Sequence, residues 1–298
     1  MLSVGVVIPT YDSAATVPTA IASALAQEPA PAQVVVVDDG STDATPAAMR
    51  PYAERIEYLR QPNRGPSAAR NAGLERLATD AVVFLDADDL LLPGALACRL
   101  ELLAFPDAAW AHTDGWLEDE SGARRRFSAV HPPVGGRGEG RVFAQLLRKN
   151  FITTDAVVAR RALVRELGGF DETIRGTEDW DLWLRLAARH PVRWSPQPTF
   201  VYRRGTNTVS GNRSRMDRMR SQTLVNAERL FPAAVRAAGA AARRSVADAH
   251  NAFAQELAGQ GRWHEAAPYL ATSLRLWPLQ RRAWRLFLRC RTARPAGA

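Results

Sequence analysis

Along the first hundred residues, apolar and polar positions follow two alternating periods. Short unbroken apolar runs at 4–8, 34–37 and 81–85 have the length and composition of buried strands, and 56–59 reads as a further strand. Each is followed by helix-opening chemistry. Thr16 with Pro18 in the first turn opens a helix to about residue 25. Thr45-Pro46 opens one that ends before Arg55, Pro66 one to about 77, and Pro93 one to 103. This βαβαβαβα order predicts an α/β fold, a mainly parallel sheet with helices on both faces. Ligands of such sheets bind beyond the carboxyl ends of the strands.

The middle of the chain changes pattern. Residues 110–120 and 124–128 read as a hairpin around Ser121-Gly122, and 131–140 as a Gly- and Pro-rich loop. Residues 156–159, 192–194 and 200–202 read as short strands, and 179–189 as a helix. From about residue 214 onward the pattern is helical, and 251–278 has the spacing of one tetratricopeptide-type hairpin. A single such repeat cannot bury its own face, so it is expected to pack on the main domain or on another chain.

Charge sharpens this division. The chain has 298 residues and a net charge of +8, from 39 basic and 31 acidic residues. Residues 1–235 carry 28 of each sign; residues 236–298 carry 11 Arg against 3 acids. The whole excess therefore lies in the helical end, which points to an anionic surface or to self-association rather than to the chemistry of the main body. At 100° per residue, Arg281, Arg282, Arg285 and Arg289 fall on one arc of a final helix, with Leu279, Ala283, Leu286, Phe287 and Cys290 opposite. Two readings stand for that helix: it lies on a membrane, or it packs on its own domain with Arg in solvent. Nucleic acid is not expected as a partner, because the basic residues sit on no recognised binding motif.

Two cysteines make a disulfide framework or a zinc site implausible. The N-terminal apolar run lacks a basic flank, and no run approaches the ~20 residues of a membrane span. The expected location is cytoplasmic, with peripheral contact on the inner face of the cell membrane as the further option.

Candidate chemistry gathers at the predicted strand ends. They read Pro9-Thr10-Tyr11-Asp12, Asp38-Asp39-Gly40-Ser41-Thr42-Asp43 and Asp86-Ala87-Asp88-Asp89. One acidic strand end is ordinarily a cap or a solvated loop. Three in register along one sheet edge converge on a single cleft. Two neighbouring carboxylates repel unless a cation lies between them, and oxygen ligands favour Mg²⁺ or Mn²⁺ shared with substrate phosphates. A second acidic pair, Asp179 and Asp181, lies in a predicted helix, where the side chains diverge by about 200° and make a poor metal clamp. The P-loop, the dinucleotide fingerprint and the G-x-S-x-G elbow are absent from the sequence.

These runs, with Asn63-Arg64-Gly65-Pro66-Ser67-Ala68-Ala69-Arg70-Asn71, Gly168-Gly169-Phe170-Asp171-Glu172 and Gly176-Thr177-Glu178-Asp179-Trp180-Asp181, closely resemble the family 2 glycosyltransferases over about residues 1–205. The resemblance implies a GT-A (Rossmann-like) domain at 1–215. Residues 1–104 would be its nucleotide-binding half, 105–215 its acceptor-binding half, and 216–298 a basic helical extension. It also implies roles. Pro9, Thr10 and Tyr11 would hold the nucleoside, and Asp39 would accept a hydrogen bond from the base. Arg70 would face the base or diphosphate, Asp86 would lie near the ribose, Asp88 would ligate Mn²⁺ or Mg²⁺, and Asp179 would be the catalytic base. Arg64, Glu178, Arg203 and Arg204 are candidates for diphosphate or acceptor contacts. Asp38 and Asp181 are expected to be structural, and Asp171 to orient the Gly168-Gly169 turn. The segment after Tyr202-Arg203 lacks the His that many members carry.

The activity so implied is inverting transfer of a sugar from a nucleoside diphosphate, UDP for preference, to a glycan or lipid-linked hydroxyl. A catalytically silent relative, binding through its basic end, is the alternative. Trp110, Trp116, Trp180 and Trp183 could supply sugar-stacking faces, but Trp is more often a core residue, and the helix spacing of Trp180 and Trp183 suits packing.

Overall fold

The computed structural model describes residues 2–203 and 213–292. The strands are β1 (Val4–Thr10), β2 (Gln33–Asp38), β3 (Glu57–Arg60), β4 (Ala81–Phe84), β5 (Leu90–Leu91), β6 (Trp110–Glu118), β7 (Arg124–Arg126), β8 (Val157–Arg160) and β9 (Val192–Arg203). The helices are α1 (Val17–Leu25), α2 (Thr45–Ala48), α3 (Pro66–Arg76), α4 (Ala95–Leu103), α5 (Phe127–Val130), α6 (Phe143–Leu146), α7 (Arg161–Glu166) and α8 (Glu178–Arg189). The C-terminal helices are α9 (Arg213–Leu230), α10 (Pro232–Ala237), α11 (Gly239–Gly259), α12 (Trp263–Leu276) and α13 (Arg281–Thr292).

The strands build one sheet in the order β3-β2-β1-β4-β8-β6-β9-β5, with β7 added to β6. The β3-β2-β1-β4 half is parallel throughout. Beyond it, β8 runs antiparallel to β4 and to β6. Alternation along the strands sends residues to opposite faces. Val4, Val6 and Ile8 of β1 join Val34, Val36 and Val83 under α1 and α4. Val7, Val35, Val37, Val82 and Phe84 face the other way, toward α3, α8 and the C-terminal helices. The unbroken apolar runs in the sequence are therefore strands covered on both sides.

Three departures from the sequence pattern have physical causes. The expected helix after Thr45 is one turn, followed by a 3-10 turn at Arg50–Tyr52 that carries Pro51. The two short strands expected near 192–202 are one strand, β9. Pro196 and Pro198 mask it in sequence, and the register shifts opposite Thr113 and Asp114 accommodate them. β5, two residues long, pairs with β9 and carries no periodic signal.

At the C-terminal end, α11 and α12 form the expected helical hairpin. They bury Ala254, Leu257 and Ala258 against Ala266, Leu270 and Leu274, and α13 adds Ala283 and Cys290. Leu279, assigned by periodicity to that same inward arc, is exposed instead, because α13 begins only at Arg281. Among the described residues, no helix is long and apolar enough to cross a membrane.

Candidate active site

The parallel strands end side by side, as their registers require: Thr10 of β1 lies opposite Asp38 of β2, and Val7 opposite Phe84 of β4. Beyond those ends lies a cleft of about 500 Å³. Pro9, Thr10, Tyr11, Asp39, Arg70, Asp86 and Asp88 all line it, so seven of the sequence-derived candidates come together. Ser13, Asn63 and Arg175 also line it, and the sequence assigned them no role. Tyr11 is half-exposed at the mouth, while Thr10 is buried and its hydroxyl has no hydrogen-bond partner among the described residues.

The turns that shape the cleft are held by buried carboxylates. Asp38 accepts the Ser41 N–H at 2.7 Å and the Tyr58 hydroxyl at 2.6 Å, the structural place expected of it. Asp39 accepts the N–H groups of Arg64 (3.0 Å) and Gly65 (2.7 Å) and the Gln61 amide (2.7 Å). This fixes the loop into α3, whose first residue Pro66 follows Gly65 at φ 95°, a backbone region that glycine enters without strain. Arg64 points its side chain to Glu172 at 2.8 Å.

Arg70, on α3, does not reach outward. Its guanidinium is buried between two carboxylates, Asp86 at 2.7 Å and Glu178 at 3.0 Å. Burial disfavours its charge, but the two acids more than offset this and hold it firmly protonated. Arg70 thus joins the donor-side acid Asp86 to the start of α8. Glu178 also accepts the Gly176 N–H.

Behind Asp86 sit two further acids. Oxygens of Asp86, Asp89 and Asp155 lie within 4.8 Å of one another. Asp155 accepts the Asp86 N–H at 2.9 Å, and Asp89 accepts the Arg203 N–H at 2.7 Å. Burial first, then the neighbouring charges, raise Asp89 well above the carboxylate range and push Asp155 up to about 7. Asp155 was missed in sequence: it lies in a 3-10 turn 69 residues from Asp86, without a motif. Asp88 is exposed at the cleft wall; desolvation there and the charge of Asp86 raise its carboxyl. A donor set of carboxylate oxygens alone suits a hard divalent cation, and the Asp155 Oδ2 atom is buried with no hydrogen-bond partner among the described residues. These three residues fit such an ion; Asp88, the residue expected to ligate it, lies beside them at the cleft wall and is not one of the three.

Asp179 is the second residue of α8. Its carboxylate accepts the Trp180 N–H at 2.6 Å and the Asn150 amide at 3.3 Å. Burial, reinforced by the charge of Glu178, pushes it up to about 7. It lines a separate cavity of about 240 Å³, with Asn150, Thr153, His131 and Tyr202. That cavity shares Phe127, His131 and Phe151 with a third, of about 410 Å³, lined also by Trp194 and Arg137. Burial lowers His112 in this third cavity to about 4, so it is neutral there, bonded to the Gly138 carbonyl at 2.7 Å.

The remaining described candidates serve packing, turns and ion pairs. Trp110, Trp180 and Trp183 are core residues, and Trp116 lies under the Arg126 guanidinium; the aromatic lining of the cavities is Phe127, Phe151 and Trp194 instead. Asp171 orients the following turn through Thr173, while Asn71 holds the Gly169-Phe170 backbone. Asp181 is structural, pairing with Arg185 at 2.7 Å. Arg203 faces Glu118 at 3.3 Å, and Arg204 lies outside the described residues.

A mixed sheet whose parallel half ends in acidic turns around one cleft, with a separate acid at a nearby helix start, is the architecture of a GT-A-type transferase. S. aureus TarS 1-349 in complex with UDP-GlcNAc has the same fold, with a TM-score of 0.63 at 17% identity over 98% of this chain and 88% of that one. So does the mannosyltransferase PcManGT from Pyrobaculum calidifontis in complex with GDP-Man and Mn²⁺, with a TM-score of 0.60 at 22% identity over 97% and 84%.

The family model for glycosyl transferase family 2 matches residues 5–168, and that for glycosyltransferase like family 2 matches residues 140–236. The chain belongs to the family 2 glycosyltransferases. It is 34% identical over 230 residues to the succinoglycan biosynthesis protein ExoU of Rhizobium meliloti, covering 71% of this chain and 65% of that one. It is 30% identical over 191 residues to an uncharacterized glycosyltransferase of Rickettsia conorii, 63% of this chain. The chain spans about a third of that protein's length, 31%.

Proposed function

We propose that this protein transfers a sugar, with inversion, from a nucleoside diphosphate to a hydroxyl of a glycan or lipid-linked acceptor. One observation carries the reading: Arg70 physically links the acid of one cavity, Asp86, to the helix start that presents Asp179 to another. Inverting displacement needs this division. The leaving diphosphate and the incoming hydroxyl approach the anomeric carbon from opposite sides, so each requires its own acidic site.

In this reading the nucleoside sits among Pro9, Thr10, Tyr11 and Asp39. The unpartnered Thr10 hydroxyl is available to it, and Tyr11 offers its ring to the base. Asp88, beside Asp86, would hold Mn²⁺ or Mg²⁺ against the diphosphate. Such an ion supplies neutralisation of the leaving group as a Lewis acid. Arg175 at the cleft wall adds positive charge on the same side. Asp179 accepts the proton of the attacking hydroxyl, its carboxylate oriented by the Trp180 N–H and by Asn150. The acceptor approaches through the two aromatic-lined cavities, where Phe127, Phe151 and Trp194 present flat faces to sugar rings. UDP is the preferred donor nucleotide, on the likeness to TarS; the GDP-mannose complex of PcManGT makes GDP the competitor.

A thermal-shift panel tests this directly. UDP-, dTDP- and GDP-sugars are titrated with Mn²⁺ and again with EDTA. One nucleotide is expected to raise the midpoint in a metal-dependent way; at about a hundred times its Kd the gain approaches ~2.7 kcal/mol. Stabilisation by none of them, with or without metal, would remove the donor assignment and leave the binding-only relative standing.

A further inference from the structure

The outward face of α13 has a composition that the fold does not require. Six large hydrophobic side chains are exposed among the described residues, and three fall within ten positions: Leu279 (83% exposed), Trp284 (45%) and Leu288 (58%). Arg281, Arg282 and Arg285 are exposed on the same helix. No acidic residue follows Glu265 in the sequence, while seven arginines do. The opposite side of α13 is already satisfied: Ala283 and Cys290 are buried, and Leu286 and Phe287 pack against α11 and α12. The helix is therefore anchored by one face and displays another. At 100° per residue, Trp284 and Leu288 flank a row made by Arg281 and Arg285, with Arg282 beyond.

We infer that this face docks on an anionic lipid surface, with Trp284, Leu288 and Leu279 entering the headgroup boundary and the arginines meeting lipid phosphates. Trp belongs at that boundary, and Arg reaches phosphate while its stem covers apolar surface. A second copy of the chain is a poor occupant, since its face would bring a like-charged row against this one. A nucleic acid or an acidic protein would use the arginines but leave the three apolar side chains in water. The inference rests on the surface alone and not on the sugar-transfer reading.

Flotation of the full-length protein with vesicles tests it. Vesicles of phosphatidylcholine carry either no phosphatidylglycerol or about a third of it, and the salt is varied. Binding is expected only to the anionic vesicles and is expected to weaken with salt. The variant R281E/R282E/R285E should lose binding by on the order of 10⁴-fold, at about fivefold per charge removed and again per charge reversed. The variant W284S/L288S should bind about tenfold more weakly while keeping the salt dependence. The charge variant changes exposed side chains and should melt at the wild-type midpoint; W284S/L288S also gives up the Trp284 Nε1–H bond to the Pro278 carbonyl (2.9 Å), so its binding is read well below its own midpoint. The inference fails if wild type binds neither vesicle, or binds both equally. It also fails if the well-folded charge variant binds like wild type, or if the protein ignores vesicles but dimerises through α13 or binds single-stranded RNA.

Discussion

The carboxyl of Asp179 sits between opposing influences. Its place in the first turn of α8 favours the ionised form, because the free N–H groups there carry partial positive charge. Burial and the adjacent Glu178 charge act the other way and prevail, leaving it near 7. If Asp179 is the base, transfer should rise with pH through about 7, rather than through the ~4 of an ordinary carboxylate. Asp179→Asn should lower kcat by ~10²–10⁴-fold while donor binding, read by thermal shift, is unchanged. The same substitution has a signed effect on stability. Between about pH 4 and pH 7 the unfolded chain releases this proton while the folded chain retains it, so wild type loses stability across that window. Asn escapes the loss and can still accept the Trp180 N–H. The variant should therefore melt like wild type below about pH 4 and higher than wild type above about pH 7. An unchanged turnover, or a variant less stable than wild type at pH 8, would contradict the assignment. The cleft acids Asp39, Asp86 and Asp88 are legible in sequence because all lie within four residues of the end of an apolar strand. Asp155 and Asn150 are not, because only the folded chain brings those irregular segments to the site.

At the scale of elements, α3 is the part that sets Arg70 in place, and it does so by lying close to the sheet. Most of its buried residues are small: Ser67, Ala68, Ala69 and Gly73, beside the larger Arg70 and Leu74. A Cβ on Gly73 would overlap the side chain of Val7 and meet that of Val37 at 3.3 Å, so the helix rests almost directly on β1 and β2. Gly73→Ala should cost ~1–3 kcal/mol as overpacking. It should also lift the bridge from Arg70 to Asp86 and Glu178, lowering kcat beyond what the loss of folded protein explains. The check is a denaturant titration paired with activity normalised to the folded fraction. A full-strength enzyme with wild-type stability would show that α3 has slack. The run of small residues is visible in sequence, but its reason is not, because the reason is a distance between layers. β9 shows the converse: the prolines that break its pattern are absorbed by register shifts against β6.

Across the whole molecule, the helical end is structurally continuous with the catalytic half, although its charge sets it apart. The core that contains Trp180, Trp183 and Phe170 also contains Leu224, Ala227, Val235, Ala242, Val246 and Leu276. The start of α8 is tied to α9 by the Thr177 and Thr223 hydroxyls, 2.8 Å apart and buried. α9 and α11 therefore buttress the helix that carries Asp179, and the basic character of the end resides mainly on the outer helices. A chain ending at Arg203 is expected to lack a cooperative melting transition, since the cut leaves the apolar side of α8 in water. Thr223→Val keeps the shape but removes one hydrogen bond to Thr177, for a loss of ~1 kcal/mol and about 2 °C in midpoint. Its effect on turnover should exceed its effect on donor-induced stabilisation, because the contact lies on the Asp179 side of the molecule rather than at the cleft. A truncated chain that melts cooperatively and shifts with donor as the full chain does would instead make residues 213–292 an appendage.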